Sequence, residues 1–248
     1  MTYLLPVFAT FPYLTKAAAK TEQDKNLQGW LYAIKAGGTA TLADGTRVPA
    51  TEWFCRSFRP DSRDRPFLSR QRTMVPVPSS GVTPLPPVRA TWPCFDLAAR
   101  LVAHGWARDA RAVVRRATAV PSSREARAAG EQPPTVAELI ISLAVDRQAL
   151  VGVDSITLVD DVVSAGRNGM AALVSLRRAG FRGDVALMTV AHTNYTSGAH
   201  APYYGTIIWP EGRDSSFRRS WREENPGVPE PVPGPWDGGG VEEEPPPF

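Results

Sequence analysis

The segment Ile156-Thr-Leu-Val-Asp-Asp-Val-Val-Ser-Ala-Gly-Arg-Asn-Gly169 constrains this chain more than any other. Its apolar run, Ile156–Val159, reads as a short buried strand ending at two adjacent carboxylates, Asp160 and Asp161. Small residues follow, and the pattern then opens into a helix over Gly169–Arg178, closed by Gly180. Open α/β sheets bind ligands at the carboxyl ends of their strands. A loop turning from such a strand end into a helix offers an anion successive backbone N–H groups and the positive end of the helix dipole. Gly166 permits close backbone approach, and Ser164 and Asn168 add side-chain hydrogen bonds. Two carboxylates one loop-length away suit vicinal hydroxyls. The implied ligand has a phosphate at one end of a sugar and a diol at the other.

Strands and helices alternate around this segment. Thr15–Ala36 reads as a helix with Leu27, Trp30, Leu31 and Ile34 on one face and Gly37-Gly38 as its stop. Thr39–Val48 reads as a hairpin, with Asp44-Gly45 suited to a type I′ turn. Trp53 and Phe54 suit the cover of a sheet edge, and Arg56–Arg72, with six Arg, reads as a polar loop. Strands are expected at Thr73–Pro78, Ala112–Arg116, Ile156–Val159, Val185–Ala191 and Gly205–Trp209, and a helix at Phe95–His104. Thr135–Val145 fits a helix through Leu139, Ile140 and Leu143, or a strand through its Ile-Ile pair.

Such alternation implies an α/β fold, an open, mostly parallel sheet flanked by helices. The expected organisation is a small N-terminal helix-and-hairpin segment, 1–72, acting as a hood over a core at 73–209. Beyond it, 210–248 holds nine Pro and six Gly and is expected to be a mostly disordered acidic tail. The first residues lack a basic stretch, and Pro6 and Pro12 interrupt them, so no secretory signal is expected. No apolar run approaches the ~18–20 residues that cross a bilayer, so a cytoplasmic location without a membrane partner is expected.

The net charge of +3 conceals an asymmetry: Glu223 onward carries seven acids and no base, leaving 28 basic against 18 acidic residues in 1–222. An Arg-rich body attracts nucleotides, sugar phosphates, diphosphate or nucleic acid. Four Lys (16, 20, 25, 35) against 24 Arg look like compositional bias, so the Arg excess alone says little about a forked phosphate grip. Cys55 and Cys94 have no Cys-x-x-Cys spacing, which argues against a zinc finger or disulfide scaffold. No Gly-x-x-x-x-Gly-Lys-Ser/Thr run exists to serve a P-loop.

The 156–169 segment resembles the signature of type I phosphoribosyltransferases that binds phosphoribosyl diphosphate (PRPP). In that signature apolar residues precede two acids, two more apolar residues and Ser/Thr-Thr/Ala-Gly-x-Thr/Ser. Asp160, Asp161, Ser164, Ala165 and Gly166 fit it, while Asn168 stands where the family carries a hydroxyl residue. Order and spacing extend the resemblance to Thr73–Trp209. Val75–Gly81 resembles the first core strand and pyrophosphate loop, and Ala119–Pro134 falls where the family's flexible loop closes over PRPP. Ser142–Asp146 is similar to the competence-protein-F-like branch, whose N-terminal cysteine cluster has no counterpart in this sequence.

The resemblance implies a phosphoribosyltransferase that binds Mg²⁺·PRPP and releases pyrophosphate. Asp160 and Asp161 would be its catalytic pair on the ribose hydroxyls. Ser164, Ala165, Gly166, Arg167, Asn168 and Gly169 would hold the 5′-phosphate. Ser79, Ser80, Gly81, Arg115 and Arg116 would hold the pyrophosphate, with Mg²⁺ bound through PRPP and no direct protein ligand. The acceptor is a nucleobase or another nitrogen nucleophile, unidentified, and a homo-oligomer is compatible with the sequence. A non-catalytic PRPP or nucleotide sensor on the same fold is the alternative.

Simpler readings stand beside these. Ser79-Ser80-Gly81 also reads as an ordinary turn, and Arg115, Arg116, Arg124 and Arg127 equally as a solvated basic face. Arg56–Arg72 reads as a polar loop in preference to a nucleic-acid surface. His104, His192 and His200 lack ligand spacing, and Trp209 reads as core.

Overall fold

The computed structural model describes residues 1–14, 21–42, 44–58, 60, 63–83, 92–194, 203–211 and 218–221. Of the expected tail at 210–248, residues 212–217 and 222–248 lie outside the described residues, as do the start of the first helix, most of the Pro-rich loop and His200; Arg218–Trp221, expected within that tail, is instead a strand paired in the sheet. The N-terminal half runs β1 (Thr2–Leu14), α1 (Glu22–Lys35), β2 (Thr39–Thr41), β3 (Arg47–Pro49), α2 (Ala50–Ser57), β4 (Ser69–Pro76) and α3 (Pro93–Ala103). The chain continues through β5 (Ala107–Ala110), β6 (Val114–Arg116), α4 (Ser123–Ala128), α5 (Val136–Ile141) and β7 (Leu143–Val145). It closes with β8 (Ser155–Val163), α6 (Arg167–Arg178), β9 (Asp184–Asn194), β10 (Tyr203–Pro210) and β11 (Arg218–Trp221). No helix among the described residues is long and apolar enough to cross a membrane.

Five parallel strands, in the order β5-β4-β8-β9-β1, make up most of a seven-stranded sheet; β10 and β11 extend it antiparallel beyond β1. The fold is therefore α/β, with a mostly parallel sheet flanked by helices. Side chains alternate across the strands into two cores. One face packs Leu5, Val75, Ile156, Leu158 and Leu187 under α5 and α6. The other packs Phe8, Met74, Val159, Ala186 and Met188 under α1, α2 and α3.

Strand β4 connects through α3 to its neighbour β5, and β8 connects through α6 to β9 on the opposite side. The order therefore reverses between β4 and β8, and α3 and α6 lie on opposite faces. At such a switch point the loops leaving the two strands diverge and open a crevice at their carboxyl ends.

Several sequence expectations change. The boundary at 72/73 cuts through the sheet, because β1 is inserted between β9 and β10. Its prolines conceal it. Among the described residues, antiparallel pairing to β10 spans Thr2–Ala9 and parallel pairing to β9 spans Val7–Leu14, so Val7–Ala9 is paired on both sides. Pro6 falls where β10 alone is paired, and a missing N–H is tolerated there.

The segment expected as the second core strand is instead a small antiparallel pair, β6 with β7, off the main sheet. The true neighbour of β4 is the edge strand β5, Ala-Arg-Asp-Ala, which shows no apolar alternation. Thr135–Val145 divides into helix α5 and strand β7, so both of its signals are used. The β2–β3 turn is not type I′: Gly45 alone takes positive φ (81°), following a Gly45 N–H bond to Leu42 O (2.9 Å), and Asp44 instead accepts from Thr46 N–H (2.9 Å).

Arg72, expected in a polar loop, is 6% exposed within β4. Its Nε donates to Thr157 Oγ1 (2.7 Å), Nη1 to Asp184 Oδ2 (2.8 Å) and Nη2 to the Ile156 carbonyl. The guanidinium thus ties β4, β8 and the start of β9. Arg72→Met keeps most of the stem volume but removes these bonds. It should lower stability by about 2 kcal/mol, read as a reduced urea midpoint.

Candidate functional site

Strand β8 runs four residues past the expected end. Its pairing with β4 stops at Pro76↔Val159, while pairing with β9 continues through Asp160↔Thr189, Val162↔Ala191 and Val163↔His192. The acids therefore stand on the projecting part of β8, open on the side from which β4 has turned away. Asp161 N–H donates to Asp160 Oδ1 (2.9 Å) and Val162 N–H to Asp161 Oδ1 (2.6 Å), which holds both carboxyls against their own backbone.

A cavity of about 550 Å³ occupies the switch-point crevice. It joins Asp160, Asp161 and the 164–168 loop to Ser79, Ser80, Arg116 and Arg127 on one side, and to Lys35, Trp92 and Cys94 on the other. Of the predicted residues, Asp160, Asp161, Ser164, Ala165, Gly166, Arg167, Asn168, Ser79, Ser80 and Arg116 come together here. Three do not. Gly81 is exposed and outside the lining; Arg115 lies on β6 opposite Ala144. Gly169 is buried on the inner face of α6, where a Cβ would come within 2.8 Å of Leu187 Cδ2, so it serves helix–sheet contact.

Gly166 caps α6 with φ 82°, a conformation that favours glycine. The first bond to close the helix runs from Met170 N–H to Gly166 O (3.0 Å), so the amides of Arg167–Gly169 precede the helical ladder. The first turn of α6 carries no acid. Its positive dipole end therefore faces the cavity without internal compensation. Arg167 lines the same space, and its buried Nε has no hydrogen-bond partner among the described residues.

Across the crevice, Arg116 is 1% exposed and sits beneath the 78–80 turn. Its Nε donates to Ser79 O (2.9 Å), Nη2 weakly to Pro78 O (3.5 Å) and Nη1 to Ser142 Oγ. Thr83 N–H donates to Arg116 O (3.0 Å), Arg116 N–H to Thr83 Oγ1 (2.9 Å) and Val120 N–H to Ser80 O (3.0 Å), which fastens the turn to β6 and the segment after it. Arg116 is thus neither a solvated basic residue nor a free phosphate finger. It fixes the turn and keeps N–H capacity beyond the three bonds it makes. Among the described residues no carboxylate is hydrogen-bonded to it, and burial lowers its guanidinium to about 10, with Asp160 opposing the shift.

The electrostatics of the acid pair follow from its neighbours. Burial, and then the adjacent Asp161 charge, pushes the Asp160 carboxyl above the usual carboxylate range; the Asp161 N–H and the Lys35 charge oppose this. Cys94 Sγ–H points at Asp160 Oδ1 (3.9 Å) from the first turn of α3. Burial and the two carboxylates push this thiol well above its ordinary value, so it is a neutral neighbour and no nucleophile. Lys35 Nζ lies 3.3 Å from Asp161 Oδ2. Burial lowers its pKa, but Asp161 and then Asp160 outweigh that and raise it.

Sequence reading missed Lys35 and Trp92. The available signal for Lys35 was compositional: it is one of four Lys in a chain carrying 24 Arg, at the last position of a helix. Trp92 donates Nε1–H to Val77 O (3.2 Å) at the start of the 77–80 segment. His104 pairs with Glu52 at 3.4 Å and is not in the cavity lining, and Trp209 stacks on Tyr3 in the core at 5.8 Å. Among the described residues no group of three His, Cys, Asp or Glu side chains is placed to hold a metal ion. Comparison of the chain with protein-family models and with curated proteins finds no match in either.

Proposed function

We propose that this cavity binds Mg²⁺·PRPP and that the protein is a phosphoribosyltransferase of the type I architecture. The observation that carries the reading is the joining, at one switch point, of a projecting acid pair, an uncompensated helix N-terminus and a turn fixed by a buried arginine. The amides at the start of α6, with Ser164, Arg167 and Asn168, take the 5′-phosphate. Asp160 and Asp161 take the ribose hydroxyls. Ser79, Ser80, Arg116 and Arg127 face the diphosphate, and the N-terminal helix α1 serves as the hood from which Lys35 reaches in. Gly81, Arg115 and Gly169 have no place in this assignment.

A volume near 550 Å³ is within the range of small-molecule sites. Among the described residues no acid cluster makes a dedicated cage for Mg²⁺, and an ion carried by the diphosphate of the substrate fits such a lining. When bound it neutralises charge on the diphosphate. In the reaction the bond from C1′ to the diphosphate oxygen breaks, and the leaving group keeps the electron pair. The acceptor nitrogen forms the new bond to C1′ and gives up its proton. Positive charge develops on the sugar between those events, next to the carboxylates of β8, whose field favours it.

Calorimetric titration with Mg²⁺·PRPP, followed by diphosphate release in the presence of a nucleobase panel, tests this. Binding with release supports the transferase. The departure at Asn168 favours the second reading, a PRPP or nucleotide sensor, which predicts binding without release for any acceptor. Absence of binding overturns both.

A further inference from the structure

We infer that Lys35 is a positioning residue for the acid pair, holding Asp161 from the face of the sheet opposite the phosphate cradle. The inference rests on the reading of the pair as the site of a sugar diol. Helix α1 is docked firmly by Trp30, Leu31 and Ile34, at 4%, 0% and 1% exposure, and Lys35 is the residue that follows this anchor. A cation at a helix C-terminus is favoured by the dipole. The ammonium then extends to Asp161 Oδ2 at 3.3 Å and keeps 42% of its side chain exposed.

Other groups around the pair do not duplicate this contact. Cys94 arrives from α3 as a thiol; Arg116, from β6, is committed to the turn and Ser142. On β9, His192 is the register partner of Val163, not of either acid. Among the described residues Lys35 is the cation in ion-pair contact with the pair.

A diol that donates to both carboxylates requires two adjacent acceptors beside a substrate already carrying phosphate charge. The repulsion within that arrangement is offset by a cation held on the far side from the phosphates. Removing it leaves a more negative pair that takes up a proton more readily and accepts a polyanion less well. The phosphate cradle belongs to the α6 face, so it does not substitute for Lys35.

The test uses the full chain with Lys35→Met, Lys35→Arg and, should Met disturb the fold, Lys35→Gln. Lys35→Met should weaken Mg²⁺·PRPP binding about tenfold, and Lys35→Arg should return it to within about threefold of the parent. Separately, ¹³C-carboxyl NMR should show Asp160 releasing its proton at higher pH in Lys35→Met than in the parent or in Lys35→Arg. A lysine that exerts no field on the pair would not move that titration, and one that only holds the fold would not be rescued for binding by Lys35→Arg. If the parent itself fails to bind Mg²⁺·PRPP, the ligand reading fails, and the carboxyl titration alone decides the role of Lys35. Unchanged titration, or PRPP binding as tight in Lys35→Met as in the parent, overturns the inference.

Discussion

Changing Asp160 and Asp161 together to Asn should remove Mg²⁺·PRPP binding, by at least about 100-fold, while the protein stays folded. Both side chains face the cavity, and their oxygens are its carboxylates on the projecting end of β8. Asn keeps the shape and one acceptor oxygen but loses the charge that makes a hydroxyl's hydrogen bond strong. Stability should move the other way with pH. The raised Asp160 pKa means that the folded state holds its proton more tightly than the unfolded chain. That contribution is full below the unfolded carboxyl value of about 4 and is lost as pH rises through the higher folded value. The Asn variant has no such loss. Its urea midpoint should match the parent's in acid and exceed it at neutral pH, less at most about 1 kcal/mol for the broken Lys35–Asp161 pair. PRPP affinity unchanged in the folded double variant would remove the diol from this site.

Gly166→Ala should lower stability by about 2–4 kcal/mol, the sum of left-handed backbone strain and an overfilled contact. At φ 82° an L side chain is strained whatever its size. A Cβ there would also lie 2.2 Å from Cδ1 and 3.0 Å from Cγ1 of Ile207, which is fully buried on β10. The added methyl therefore points into the sheet core and not into the phosphate's space. Pairing it with Ile207→Val, which removes Cδ1, should recover about 1 kcal/mol relative to additivity in a double-mutant cycle. Equal urea midpoints for Gly166→Ala and the parent would show that the loop does not have this conformation. Any loss of ligand binding in such variants must be compared at equal folded fraction.

Elements with strong local periodicity were legible from the chain: α6, the buried runs of β8 and β9, α3, and the stop of α1 at Gly37. Pairing partners were less so. β1 was hidden because Pro6 lies in a stretch of it paired on one side, a stagger of its neighbours that no local pattern reveals. β5 was hidden because an edge strand capping the sheet is not required to be apolar. The candidate site divides in the same manner. Asp160, Asp161 and 164–168 are contiguous and carry their own chemistry. Lys35 and Trp92 reach the cavity only through packing of α1 and α3 on the sheet's second face. Arg116 was named as a candidate, but its burial beneath the 78–80 turn depends on the β6–β7 pair, of which sequence reading took Ala112–Arg116 as a core strand and left Thr135–Val145 open between helix and strand.

The placement of β1 also sets a timetable for assembly. Val7 pairs with Leu187 and Leu5 with Ile207, separations of about 180 and 200 residues, so the middle of the sheet closes only when the ends of the described chain meet. During synthesis the first strand leaves the ribosome long before either neighbour exists, and β9, when it forms, presents an open apolar flank until β1 is captured. Contacts of such long range are slow to nucleate and leave unpaired edges exposed meanwhile. Refolding from urea should accordingly show β1–β9 closure as its late phase, and synonymous changes that alter translation speed before β10 should change soluble yield without altering the native protein.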